Sequence, residues 1–202
     1  MTELATAHTW DDINPQIEQV AQSELFGWRA STLCLERDIV PFGYGSIAKA
    51  GCMLPHWGRE SDMRHTGSKV HPECTCGLNM TRTRAQTLAY LQFCTQKGRI
   101  DFIKQNLGPL YLGEAICKVS VWPGVHITGP VNRPEMDLAD PEWCARANSM
   151  YLEEVYLPNY LLNFQVREFQ QAYPDAVVQR MESPLSELLA NEEVSTLSAY
   201  FQ

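Results

Sequence analysis

At 202 residues, 45% of them hydrophobic, the chain has enough apolar side chain for one ordinary core, so its size demands no disulfide staple. The net charge of −8 counts against a general nucleic-acid binder, and seven cysteines, an odd number, fit a reduced compartment better than a disulfide framework. No run of 18 apolar residues is present, and the opening MTELATAHTWDD lacks the basic start and apolar stretch of a secretory signal; a soluble, cytoplasmic protein without a membrane span is therefore expected.

In chain order, Asp11 to Ala21 carries Ile13, Ile17 and Val20 with acids at the start and Pro15 near the first turn, which predicts a short amphipathic helix within an N-terminal segment 1–26. The stretches 27–35 and 38–42 flank Glu36-Arg37 as a hairpin, with Pro41 marking a sheet edge. Residues 43–80 hold six glycines and two prolines and no sustained period. So long an irregular connection inside a compact domain calls for a constraint.

Thr81 or Thr83 is placed to cap a helix running to about Gly98, and a second helix, Arg99 to Leu107, should stop at Gly108-Pro109. Leu110 to Val121 is rich in strand formers, Trp122-Pro123-Gly124 turns the chain, and Val125 to Thr128 is expected as its return strand. Gly129 to Glu142 is proline-rich and predicts a surface loop. Trp143 to Leu157 follows as further strand, ending at Pro158. A helix from Asn159 should stop before Tyr173-Pro174, and a short strand is expected at 176–178. Ser183-Pro184 then opens a last helix with serine at the N-cap, proline at N1 and Glu187 in its first turn. Together these elements predict one α+β domain over 1–202: a core over 27–180 made of a small antiparallel sheet with segregated helices, and an acidic C-terminal helix in 181–202.

The charge is unevenly placed. Residues 49–104 carry nine Lys/Arg against four Asp/Glu, a net +5, which leaves −13 for the rest; residues 151–202 hold eight acids and two arginines. The basic block surrounds the most informative segment, Cys52 to Cys76, CMLPHWGRESDMRHTGSKVHPECTC, with three cysteines and three histidines. Zinc is held by four thiolate or imidazole ligands at about 2.0–2.3 Å. A Cys-x-Cys pair followed by glycine suits a tight turn that brings two sulfurs to one metal. Cys74 and Cys76 are the first candidates and Cys52 the third. The fourth is His65, returning through Gly67, or His71, held near by Pro72; His56 is crowded by Pro55 and Trp57. Four protein ligands leave no open position, so the expected zinc is structural, a clip on the long loop 43–80.

Taken in order, Gly27-Trp28-Arg29-Ala30, Cys52, a histidine, Cys74-x-Cys76-Gly77, Gly113 with Val121-Trp122-Pro123-Gly124, Ala145-Arg146-Ala147 and Tyr173-Pro174 resemble a pattern found in small, uncharacterised phage and actinobacterial proteins. That pattern runs GWR…C…H…CxCG…LWG…RAE. The resemblance spans roughly residues 27–180, and only its Cys/His part is specific; Pro123 inside the Trp-Gly pair and Asn148 in place of an acid depart from it. It implies a viral or bacterial source, hence a host cytoplasm if viral, and supplies no activity.

The familiar catalytic motifs are missing from the sequence: no phosphate-binding Gly-x-x-x-x-Gly-Lys, no Gly-x-Ser-x-Gly elbow and no His-Glu-x-x-His. His71-Pro72-Glu73-Cys74 contains His-x-Glu but lacks the Cys-x-x-Cys of zinc deaminases. Cys117 or Cys144 with His126 would be a conceivable thiol pair, though no spacing links them. Two readings remain. In the first, the chain is a zinc-stabilised, non-enzymatic binding or regulatory protein that contacts a host protein through its acidic C-terminal helix or aromatics such as Trp57 and Trp122. In the second, the basic block binds nucleic acid, with Arg59, Arg64, Lys69, Arg82 and Arg84 on phosphates and Trp57 as a stacking ring.

Overall fold

A computed structural model describes residues 19–20, 25–35, 37–42, 46–49, 78–121, 125–128, 132–133, 138–139, 144–147 and 149–191. The strands are β1 (Gln19–Val20), β2 (Leu25–Cys34), β3 (Ile39–Val40), β4 (Ile47–Lys49), β5 (Leu78–Thr81), β6 (Tyr111–Val121), β7 (Val125–Thr128), β8 (Asn132–Arg133), β9 (Leu138–Ala139), β10 (Cys144–Ala147), β11 (Ser149–Leu157) and β12 (Val177–Arg180). The helices are α1 (Arg84–Gln96), α2 (Arg99–Leu107), α3 (Asn163–Ala172) and α4 (Leu185–Asn191).

The architecture is α+β. One sheet runs in the order β1-β7-β10-β5-β2-β6-β11-β12, with β3 added to β2 and β4 to β11; β8 and β9 pair separately. Every pair is antiparallel except β11 with β12, which α3 connects as a crossover. Its backbone is β2 against β6, paired from Leu25↔Val121 to Cys34↔Tyr111. β10 and β11 are separated only by residue 148, yet they lie four places apart in the ladder. The sheet must therefore curl until one continuous stretch of chain serves both of its flanks, as in packings where a strand switches sheets at a corner.

Small residues line the concave side of this curl. Ala48, Ala115, Ala145 and Ala147 are all fully buried there, beside Leu33, Val119, Met150 and Leu157. At Gly27 a Cβ would stand 2.9 Å from the Thr81 carbonyl oxygen and 2.7 Å from Met80 Sδ, so only glycine lets β2 and β5 approach this closely. Phe169 of α3 and Tyr173 just past its end close part of the same core. On the convex side α1, α2 and α4 cover a second cluster built from Leu88, Leu91, Cys94, Ile100, Ile116 and Met181. With helices on both sides, β6 is buried almost without alternation, as expected of a strand covered on both faces.

Local chemistry accounts for the element ends. Thr83 accepts from the Gln86 N–H at 3.2 Å, and the Gln86 side-chain oxygen accepts from the Thr83 N–H at 2.9 Å, a reciprocal capping box on α1. Gly98, at φ +71°, turns the chain from α1 into α2, and Gly108, at φ +53°, ends α2. The hairpin between β2 and β3 closes through Arg37 at φ +68°, whose N–H donates to the Cys34 carbonyl at 3.1 Å.

Three expectations are corrected. Residues 19–20, placed in a helix by periodicity, form β1 against β7, because a ladder with Val125 and His126 satisfies their backbone. β7 does not fold back on β6; it pairs with β10 and β1. The proline-rich stretch 129–142 contains the β8–β9 pair. Residues 1–18 and the Cys/His segment 50–77 lie outside the described residues.

Candidate functional site

Between Trp28, which pairs with Thr81 of β5, and Thr32, which pairs with Val40 of β3, one edge of β2 meets no strand among the described residues. The gap opens into a slot of about 340 Å³, roofed on the helix side by α1 and α2. Trp28, Leu78, Met80, Leu91, Ile100 and Ile103 give it apolar walls; Arg29, Asn79, Thr81, Arg99 and Glu114 bring polar groups to it. A pocket of this size, mostly apolar with a few converging polar groups, has the form of a small-molecule site.

The elements that build the slot explain its polar lining. Successive side chains of a strand point to opposite faces, so Trp28, Ala30 and Thr32 face the helices while Arg29 and Ser31 face the concave core. Arg29 stands opposite Cys117 of β6. Its Nη1 lies 3.7 Å from Met150 Sδ, its guanidinium is 5.8 Å from the Phe42 ring centre, and its Nε is buried with no hydrogen-bond partner. Burial lowers its pKa to about 10, with Cys117 and Tyr90 opposing, so it stays charged at neutral pH. The same burial pushes the Cys117 thiol up to about 12, against the pull of Ser31 and Arg29.

Glu114, only 6% exposed, faces the helices opposite Thr32. Burial raises its pKa to about 7, while hydrogen bonds from Thr32 and Tyr111 and the charge of Lys104 hold the rise in check. Tyr111 is pushed well above its ordinary range by burial and then by Glu114 itself. On α1, Cys94 is raised by burial against Arg99 and Tyr90. Thr81 Oγ1 sits 2.5 Å from Thr87 Oγ1 and 3.0 Å from the Thr83 carbonyl, which ties β5 to the first turn of α1 at the mouth of the slot.

A second polar group lies on the convex face. The Lys118 ammonium donates to Glu154 at 2.9 Å and the Tyr156 hydroxyl donates to it at 2.6 Å; the Tyr156 hydrogen bond, then Lys118, lowers the carboxyl's pKa. Tyr156 also carries the Arg84 guanidinium 4.8 Å from its ring centre and packs 5.8 Å from Trp28. Arg84, a candidate phosphate ligand in the sequence, is therefore stacked on its own protein; Arg82 is exposed at the end of β5.

Cys52, His65, His71, Cys74 and Cys76, with Trp57, Arg59, Arg64 and Lys69, lie outside the described residues. Among the described residues no three His, Cys, Asp or Glu side chains gather as a metal site. The thiol pairing considered above fares poorly: Cys117 is sealed in the core, and the register sets His126 opposite Ala147 while Cys144 stands opposite Thr81. Sequence reasoning passed over Arg29 and Glu114. Their signal was present only in part: Arg29 is the one charge in the strand-like run Phe26 to Leu33, whereas Glu114 shares Gly113 to Val121 with Lys118.

Comparison with family models, curated proteins and solved structures finds no match to this chain. No helix among the described residues is long and apolar enough to cross a membrane.

Proposed function

We propose that the chain is a zinc-stabilised binding or regulatory protein with no enzymatic activity of its own, phage-encoded and acting on a host protein in the cytoplasm. The observation that carries the zinc is the anchoring of the Cys/His segment. It leaves β4, laid against β11, and re-enters as β5, laid between β2 and β10. Closing a long connection between two fixed strands costs chain entropy, and a metal clip would offset that cost. Cys52, Cys74 and Cys76 with His65 or His71 supply four ligands of the kind zinc takes.

A protein partner is supported by exposed apolar side chains at the start of α3. Tyr160, Leu162 and Phe164 stand more than half in solvent within five consecutive residues. The test of the clip is native mass spectrometry before and after acid denaturation. One zinc per chain, lost on Cys74→Ser, is the expected result; metal-free protein purified without chelator would remove the reading.

The uneven charge, +5 over 49–104, keeps a second reading in view, in which that block binds nucleic acid. Fluorescence anisotropy with a single-stranded oligonucleotide separates the two. Phosphate contacts weaken steeply between about 50 and 200 mM salt, whereas no binding at the lower salt sinks this second reading.

A further inference from the structure

We propose that the slot under α1 and α2 binds a small organic amine, an apolar body whose single ammonium meets the Glu114 carboxylate. The inference rests on the described residues alone and stands or falls independently of the zinc.

A buried carboxylate is normally paired with a cation, because its charge is costly away from water. Glu114 lacks that partner. It projects from β6 on the same side as Ile116, toward the helices. Its oxygens lie over Thr32 of β2 and its charge reaches Cys94 of α1, both of which line the slot, so the carboxyl itself stands on the slot's helix side. Thr32 and Tyr111 donate hydrogen bonds to it. A carboxylate has about four acceptor sites, so these two donors leave room for another. The charged groups nearby are committed elsewhere. Lys104 Nζ lies 3.7 Å from Asp101 Oδ1 and 5.8 Å from the centre of the Tyr111 ring, and Arg99 hydrogen-bonds the Cys94 thiol.

The rest of the lining narrows the ligand. Trp28, Ala30, Leu91, Ile100 and Ile103, all part of the apolar cluster under α1 and α2, ask for an apolar body. A metal ion would need several oxygen ligands, and among the described residues no three His, Cys, Asp or Glu side chains gather. An ammonium needs no such cage: it is a compact charge with three donors.

Binding is linked to the proton on Glu114. Burial holds this carboxyl's pKa at about 7, and an ammonium beside it pulls the value down, so below about pH 7 the amine must displace a proton. Tyr111, Tyr160 and Cys94 also face the carboxyl, and burial raises all three, so Glu114 is the one among them that titrates near neutrality.

Titration calorimetry on the full chain with benzylamine, phenethylamine and hexylamine, the matching alcohols and calcium tests this. At pH 8 at least one amine should bind at or below about 1 mM. Its alcohol and calcium should bind at least about tenfold more weakly, and Glu114→Gln, which keeps the shape and removes the charge, should weaken the amine to the same degree. At pH 6 the amine should bind about tenfold more weakly than at pH 8. Ile103→Trp, which fills the slot from α2 and leaves Glu114 in place, should block it as well, and it decides the matter if Glu114→Gln does not fold. The proposal is overturned if none of the amines binds up to about 10 mM. Equal affinity for amine and alcohol, equal affinity at pH 6 and pH 8, tighter binding of calcium, or full affinity in a folded Glu114→Gln or Ile103→Trp variant would overturn it too.

Discussion

Thr32 and Glu114 stand directly opposite each other on β2 and β6, and the Thr32 hydroxyl lies 3.1 Å from each carboxylate oxygen. The pair sits under α2, with Tyr111 and Lys104 as the other groups acting on the carboxyl. In the folded chain Glu114 keeps its proton up to about pH 7, against an ordinary value of 4.5. Between those values the native state binds more protons than the unfolded one, so this group's contribution is full below about 4.5 and is lost as pH rises to about 7. The loss amounts to roughly 3 kcal/mol. Glu114→Gln keeps an acceptor for Thr32 without the charge. Urea melts should show the variant close to the parent at pH 4.5 and about 2–3 kcal/mol more stable at pH 8.

Tyr173 ties α3 to the β2–β3 hairpin: the Ile39 N–H donates to its hydroxyl at 2.8 Å in a fully buried setting. Tyr173→Phe leaves that N–H without its acceptor and should cost about 1–3 kcal/mol in urea unfolding. No loss would mean that another acceptor takes over.

Gly113 occupies β6 at φ +132°, a region other residues rarely enter, and a Cβ there would also run into the Tyr160 hydroxyl. That hydroxyl donates to the Leu112 carbonyl at 2.7 Å. Gly113→Ala should destabilise by about 1–3 kcal/mol. Adding Tyr160→Ala removes the collision but not the backbone strain, so the double variant should recover little. Full recovery would assign the cost to the clash.

The capping box on α1 can be weighed separately. Thr83→Ala should lower stability by about 1 kcal/mol in thermal or urea melts. Because the Thr81–Thr87 contact sits in the same turn, the loss should extend to faster amide exchange around Thr87.

The parts of this fold legible in the sequence are those set by neighbours in the chain. α2 begins and ends at Gly98 and Gly108, and the Thr83 cap starts α1, because helix ends depend on residues within a turn. Strand partners are not written that way. Val125 to Thr128 reads as a return strand for β6, but its ladder is with Cys144 to Ala147 and with Gln19–Val20, far away in the chain. The slot was invisible for the same reason: it is a gap between β5 and β3, and neither of those strands says where the other stops along β2. Arg29 and Glu114 were visible in part as misplaced charges, yet only the pairing of β2 with β6 tells which face each one takes.

The stretch from Cys144 to Leu157 serves both flanks of the curled sheet, and this bears on the order in which the molecule can assemble. β2 and β6 can pair as soon as both exist, but β5 and β6 acquire their second neighbours only when that late segment arrives. Until then two rows of backbone donors and acceptors face water, a template for wrong partners. Folding should accordingly be slow and all-or-none, dominated by contacts between distant residues. A chain interrupted before residue 144 should aggregate rather than form a stable half.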